Sequence, residues 1–161
     1  MIAWGWLLTV IAAVSAGACS DRGANTASLP HRQEQSQAAT ERPMRIRIIT
    51  EDGTFTAILE DNETARDFAS LLPAELTLND YNRTEKVADL PRRLTIAGAP
   101  EGADPEVGDI AYFAPWGNLA IYYRDFAYSP GLVRLGRLDG GAEALAGMGA
   151  ATARVEIIPE N

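Results

Sequence analysis

The sequence predicts a mainly β fold, a small closed antiparallel β-barrel of about eight strands. Three observations predict it. Seven or eight short segments have strand length and strand patterning, one segment alone carries a clear helical stripe, and the last alternating segment is suited to pair with the first. Closure is expected because a sheet of so many short strands would otherwise expose two edges. No internal repeat is visible.

The elements follow in order. Residues Met44 to Thr50 alternate, with Arg45 and Arg47 outward and Ile46 and Ile48 inward. Glu51-Asp52-Gly53 is a tight turn into an antiparallel partner, Thr54 to Leu59. A helix comes next. Asp61 or Asn62 caps it, Glu63 suits its positive end, Ala65, Phe68, Ala69 and Leu72 form its apolar stripe, and Pro73 stops it. Glu75 to Asn79 and Arg93 to Ala97 read as short strands separated by a polar loop, and Gly98 to Gly108 as irregular chain. Asp109 to Phe113 and Asn118 to Tyr123 read as a hairpin around Ala114-Pro-Trp-Gly117. Leu132 to Leu138 is extended, Gly141 to Met148 is a short helix, and Ala153 to Ile158 alternates and closes the sheet.

This domain, residues 44–161, follows two segments of different character. Residues 1–18 carry no charge, and the apolar run Trp4 to Val14 ends in the small residues Ser15 to Ala18 before Cys19, the chain's single cysteine. Ala16-Gly-Ala-Cys19 resembles a bacterial lipobox, which implies a lipoprotein-type signal peptide over 1–18 and lipidation of Cys19. Ala16 stands where a leucine is usual, and no basic residue precedes the run. Plain secretion and a retained helix stay open, since eighteen residues at about 1.5 Å each reach roughly 27 Å. Export to the cell envelope, with a lipid anchor facing the periplasm, is the expectation. A lone cysteine closes no intrachain disulfide. Residues 19–43 are rich in Ser, Thr, Gln, Ala and Asn and read as a disordered tether.

The tether's three acids and three bases cancel, so the net charge of −8 rests on the domain. Such a surface repels phosphate backbones, which argues against nucleic acid and leaves the lipid as the route to a membrane.

From Met44 onward there is no His, Cys or Gln. That removes Ser-His and Cys-His nucleophile pairs and zinc sites of the usual nitrogen or sulfur kind. No P-loop or Gly-x-Gly-x-x-Gly fingerprint is present, and Gly140-Gly141 and Gly147-Met-Gly149 read as turn glycines. Two loops hold grouped acids, Asp80, Glu85 and Asp89 in one, Asp104, Glu106 and Asp109 in the other. Neither has the spacing of a calcium loop, and both read as solvated charge. No catalytic residue, metal site or cofactor is expected.

Seven of the domain's ten aromatic residues lie between 112 and 128: Tyr112, Phe113, Trp116, Tyr122, Tyr123, Phe126 and Tyr128. On a strand, Ala120 and Tyr122 face one side while Leu119, Ile121 and Tyr123 face the other. One set must leave the core unless the barrel is covered there. The rings either fill the barrel end and cover the helices or present a recognition surface, for which Tyr and Trp suit well. If a site exists, it lies where the Asn79 to Lys86 loop meets the Pro115 to Asn118 turn. Trp116 and Tyr122 would give contact area, Asn118 a hydrogen bond, and Glu85 with Lys86 polarity. Arg134 and Arg137 read as solvent-facing stems.

Several motifs, in order, are familiar. Met44-Arg-Ile-Arg-Ile48, Thr56-Ala-Ile-Leu-Glu-Asp-Asn62, Leu71-Leu-Pro73, Asp80-Tyr-Asn-Arg-Thr-Glu-Lys86, Pro115-Trp-Gly-Asn-Leu-Ala120 and Leu132-Val-Arg-Leu-Gly-Arg137 resemble the bacterial cyclophilin-like domain family across 44 to about 158. The resemblance implies a closed antiparallel barrel of about eight strands with two flanking helices. It carries no assigned activity. True cyclophilins isomerise Xaa-Pro bonds with an arginine aided by Phe, Gln, His and Trp, and this domain lacks the Gln, the His and the Phe-x-x-Gln-Gly-Gly-Asp segment. The expected function is therefore a binding module for a peptide, protein or small-molecule ligand. A weak peptidyl-prolyl cis-trans isomerase is the alternative.

Overall fold

Alternation of Ile46 and Ile48 with Arg45 and Arg47 produces β1 (Arg45–Thr50), whose isoleucines are buried and whose arginines are exposed. A turn at residues 51–52 reverses the chain into β2 (Gly53–Leu59). The computed structural model describes residues 43–159. The expected signal peptide (1–18) and, apart from residue 43, the expected tether (19–43) with Cys19 lie outside that range.

Helix α1 (Glu63–Ala69) starts at Asn62, whose side-chain oxygen accepts the N–H of Ala65 at 2.8 Å. Its stripe of Ala65, Phe68 and Ala69 is buried. It ends a turn before Pro73, because Leu71 and Leu72 donate to Phe68 and Ala69 in tighter i to i−3 bonds.

The next region differs from expectation. Strand β3 (Ala74–Tyr81) turns directly into β4 (Glu85–Asp89), where a polar loop was expected, and Arg93–Ala97 is not a strand. The turn closes with the Thr84 N–H on the Tyr81 carbonyl, and Asn82 and Arg83 both take positive φ, 51° and 56°. That backbone suits the twist of a hairpin, and it usually advertises itself with glycine. Asp80 stands in for the missing glycine by accepting the Arg83 N–H at 3.0 Å. Residues 93–97 instead run beside α1 and the barrel. The Leu94 N–H donates to the Tyr112 hydroxyl at 3.2 Å, and the Thr95 N–H to Asp67 at 2.8 Å. Arg92 holds the same Asp67 carboxylate, which pulls its pKa down to about 2.

Strands β5 (Gly102–Ala103), β6 (Asp109–Phe113), β7 (Asn118–Tyr122), β8 (Ser129–Pro130), β9 (Leu132–Leu138) and β10 (Ala151–Ile157) complete the sheet elements. Residues Ala142–Gly147 form a 3-10 helix after Gly141, which takes φ 77°. Eight strands close an antiparallel barrel in the order β1-β10-β3-β4-β7-β6-β9-β2, while β5 and β8 pair as a separate two-stranded sheet. The expected pairing of the last strand with the first is present.

Closure depends on Gly136. A Cβ there would lie 2.3 Å from the Ile58 carbonyl oxygen and 2.9 Å from Leu59 Cα, so only glycine lets β9 approach β2. The same place carries a register shift against β6. The shift puts Arg134 and Arg137 on a common partner rather than leaving them as free stems. Both reach Asp109, which is fully buried, at 2.9 and 3.4 Å.

Inside the barrel lie Ile46, Ile48, Leu76, Leu78, Ile110, Tyr112, Leu119, Ile121, Leu135 and Val155, joined by Phe68 of α1 and Leu145 of the 3-10 helix. Among the described residues no helix is long and apolar enough to cross a membrane.

Candidate functional site

The outer faces of β6, β7 and β9 should meet water on an ordinary barrel, yet Ala111, Ala120, Tyr122 and Leu132 form a second buried cluster there, with Val87 of β4 packed against it. The segment carrying β5 and the segment carrying β8 cover part of it. Both faces of β7 are therefore buried: Leu119 and Ile121 in the barrel, Ala120 and Tyr122 beneath the cover. The cover is incomplete. Between it and the β3–β4 hairpin lies a cleft of about 230 Å³ lined by Tyr81, Asn82, Glu85, Val87, Phe113, Trp116, Asn118, Ala120, Tyr122, Phe126 and Ser129.

Strand register places the lining. Tyr81, Glu85 and Tyr122 form one row across β3, β4 and β7, with Asn118 and Phe113 paired farther along. Trp116 comes from the β6–β7 turn, which Gly117 makes possible at φ 78° while its N–H bonds the Phe113 carbonyl at 2.8 Å. The Trp116 ring is 58% exposed yet held edge-on by two neighbours, Tyr81 at 5.4 Å and Phe113 at 5.3 Å between centroids. Arg93 steadies the turn from behind through the Ala114 and Pro115 carbonyls.

The polar groups are few. Burial, reinforced by the negative charge of Asp80, pushes the Glu85 carboxyl up to about 7. Burial first, then Glu85 and Asp109, push the Tyr122 phenol well above its ordinary value, so it stays neutral. Asn118 is 5% exposed, and its Oδ1 has no hydrogen-bond partner among the described residues.

Of the residues picked from sequence, Glu85, Trp116, Asn118 and Tyr122 line this cleft together. Lys86 does not. The β pleat turns it into the barrel, where it is fully buried and donates to the Met148 carbonyl at 2.5 Å and Asp80 Oδ2 at 3.1 Å. The Tyr123 hydroxyl donates to the same Asp80 oxygen at 2.5 Å. Tyr81, Phe113 and Phe126 were absent from the sequence-based set. Reading the β3–β4 hairpin would have found Tyr81, the last residue of β3 and opposite Glu85; Phe113 and Phe126 stood in the aromatic group of residues 112–128, but nothing local pointed them to this cleft. Among the described residues no group of three His, Cys, Asp or Glu side chains is arranged to hold a metal ion.

A closed antiparallel barrel with a covered outer face and an aromatic cleft beside the cover defines the class of protein. The chain belongs to the Cyclophilin-like family, whose model matches residues 48–157. Among solved structures it is similar to the solution structure of the hypothetical protein AF2241 from Archaeoglobus fulgidus, at 23% identity over 73% of this chain and 98% of that one, with a TM-score of 0.54. That likeness is one of fold. A search of curated proteins finds no match.

Proposed function

We propose that this chain is a binding module of the cell envelope, exported, held to a membrane by a lipid on Cys19, and engaging its ligand in the cleft between the β3–β4 hairpin and the β6–β7 turn. The cleft carries the reading. An exposed tryptophan fixed between two other rings offers contact area without much side-chain ordering on binding. A volume of about 230 Å³ is below the range of pockets for drug-sized ligands, and suits one side chain or a small molecule of that size. The envelope location draws its support from the uncharged stretch 1–18, the small residues before Cys19 and the polar tether after it.

Holding is favoured over isomerising because no arginine is among the described residues that line the cleft. A twisted prolyl amide would find no guanidinium there. A fragment library screened by protein-observed NMR should give shifts confined to the cleft in the wild type and lost in Trp116→Ala. Shifts scattered around the barrel, or unchanged in that variant, would refute the site. An assay of prolyl-peptide isomerisation should show no acceleration over the uncatalysed rate.

A further inference from the structure

We infer that the cleft selects an organic cation with N–H donors, an alkylammonium or guanidinium head on an apolar stem, seated between Glu85 and Asn118 with its stem against Trp116. This deepens the reading of the cleft just given and rests on it.

Three independent observations converge. The first is the carboxylate. Glu85 lines the cleft half-buried and makes no ion pair or hydrogen bond among the described residues, unlike the similarly shielded Asp67 and Asp109, which are held by arginines. The second is an acceptor without a donor. Asn118 Oδ1, on a residue that lines the cleft, is buried and has no hydrogen-bond partner among the described residues, a condition that costs about 1–3 kcal/mol until something donates to it. The third is the wall. Tyr81, Phe113, Trp116, Tyr122 and Phe126 surround these two acceptors, and aromatic faces attract cations while apolar stems pack on them.

Charge and size weigh against the other ligand classes. No lysine or arginine is among the described residues lining the cleft, and Asp80 adds negative potential at Glu85, so an anion would find no cationic partner there. A neutral apolar group would bury Glu85 further and leave Asn118 unmet. A quaternary ammonium would satisfy the rings and the carboxylate but not Asn118. A head with N–H donors satisfies all three. The volume admits one such head and stem, which is the size of a lysine or arginine side chain.

Binding is coupled to protonation of Glu85. The titratable groups around it are Tyr81 and Asp80 on β3, Tyr122 at the end of β7 and Tyr123 just beyond it; burial keeps both of the latter phenols neutral near pH 7, Tyr123 being pushed up to about 12. A cation therefore binds best where Glu85 is ionised, above about pH 7, and weakly at pH 5.

The test titrates n-butylammonium and n-butylguanidinium into the purified protein at pH 8, followed by calorimetry and by the indole N–H resonance that disappears in Trp116→Ala. Pentan-1-ol is the neutral isostere and butyrate the anion. The cations should bind saturably and roughly tenfold more tightly than pentan-1-ol, and Glu85→Gln should lower cation affinity roughly tenfold without weakening the alcohol. Thermal melts of Glu85→Gln at or above the wild-type midpoint would show that the fold is intact. An extended polyalanine peptide carrying one arginine binding more tightly than n-butylguanidinium identifies a protein partner's side chain as the source; equal affinities identify a free amine. Equal binding of cation and alcohol, preference for butyrate, or indifference to Glu85→Gln would overturn the cation class while leaving the cleft as a binding site. No saturable binding of any probe would overturn both.

Discussion

Glu85 and Lys86 are adjacent in sequence and lie on opposite faces of the barrel wall, the carboxylate in the outer cleft and the ammonium fully buried inside. Their opposite charges never meet. Lys86 is compensated by Asp80, the Met148 carbonyl and the Tyr123 ring, whose centroid lies 5.8 Å from the ammonium. Glu85 has no such compensation among the described residues, and burial raises its pKa instead.

The Glu85 carboxyl makes stability depend on pH in a definite direction. Its folded pKa of about 7 lies above the ordinary 4.5, so its stabilising effect is complete below about pH 4.5 and lost as pH rises through 7. Glu85→Gln should raise the melting temperature at pH 8.5 and leave it nearly unchanged at pH 4. Asp67 acts in the opposite sense, its contribution disappearing as pH falls from 3.8 through about 2. A higher midpoint for the wild type than for Glu85→Gln at pH 8.5 would contradict the assignment.

Removing the buried ammonium should be expensive. Lys86→Ala leaves the Met148 carbonyl without its donor and Asp80 without its cation, and should destabilise the domain by about 3–5 kcal/mol in urea unfolding. The exposed pair of Arg66 with Asp61 is the control, and Arg66→Ala should cost less than about 1 kcal/mol. Similar costs for the two variants would show that Lys86 is not an anchor of the core.

Gly136→Ala tests barrel closure. The added methyl meets backbone rather than a yielding side chain, so β9 must move away from β2. We expect a loss of about 1–3 kcal/mol, and weaker protection from hydrogen exchange where β2 pairs with β9. Gly140→Ala, where a Cβ would meet nothing within 4 Å, should be far milder.

Cys19→Ser tests the anchor. In cells fed a clickable palmitate analogue, the wild-type protein should take up label and fractionate with membranes, while the variant should do neither. Unlabelled wild-type protein would leave secretion or a retained helix as the account of residues 1–18.

Much of the fold was legible because binary patterning acts locally. Ile46 and Ile48 against Arg45 and Arg47, the Asn62 cap with Ala65 and Phe68, and the Asp109 to Tyr123 hairpin each follow from a few neighbouring residues. The β3–β4 hairpin was misread for an equally local reason. Its turn takes positive φ at Asn82 and Arg83 without a glycine, and its second strand is only five residues long and mixes an acid, a lysine and an aspartate with Val87 and Ala88.

The sequence by itself determined the strand alternation, the helix with its cap, the acidic balance of the domain and its lack of His and Cys, because each depends on composition or on residues a few positions apart. Only the tertiary structure decided which side of the wall Glu85 and Lys86 face, that Arg134 and Arg137 share Asp109, and that Tyr81, Trp116 and Phe126 meet at one cleft. The reason is that a barrel brings β3, β4, β6 and β7 side by side through long-range pairing, and the register of that pairing, together with a cover formed by distant segments, is set by the packing of the whole chain.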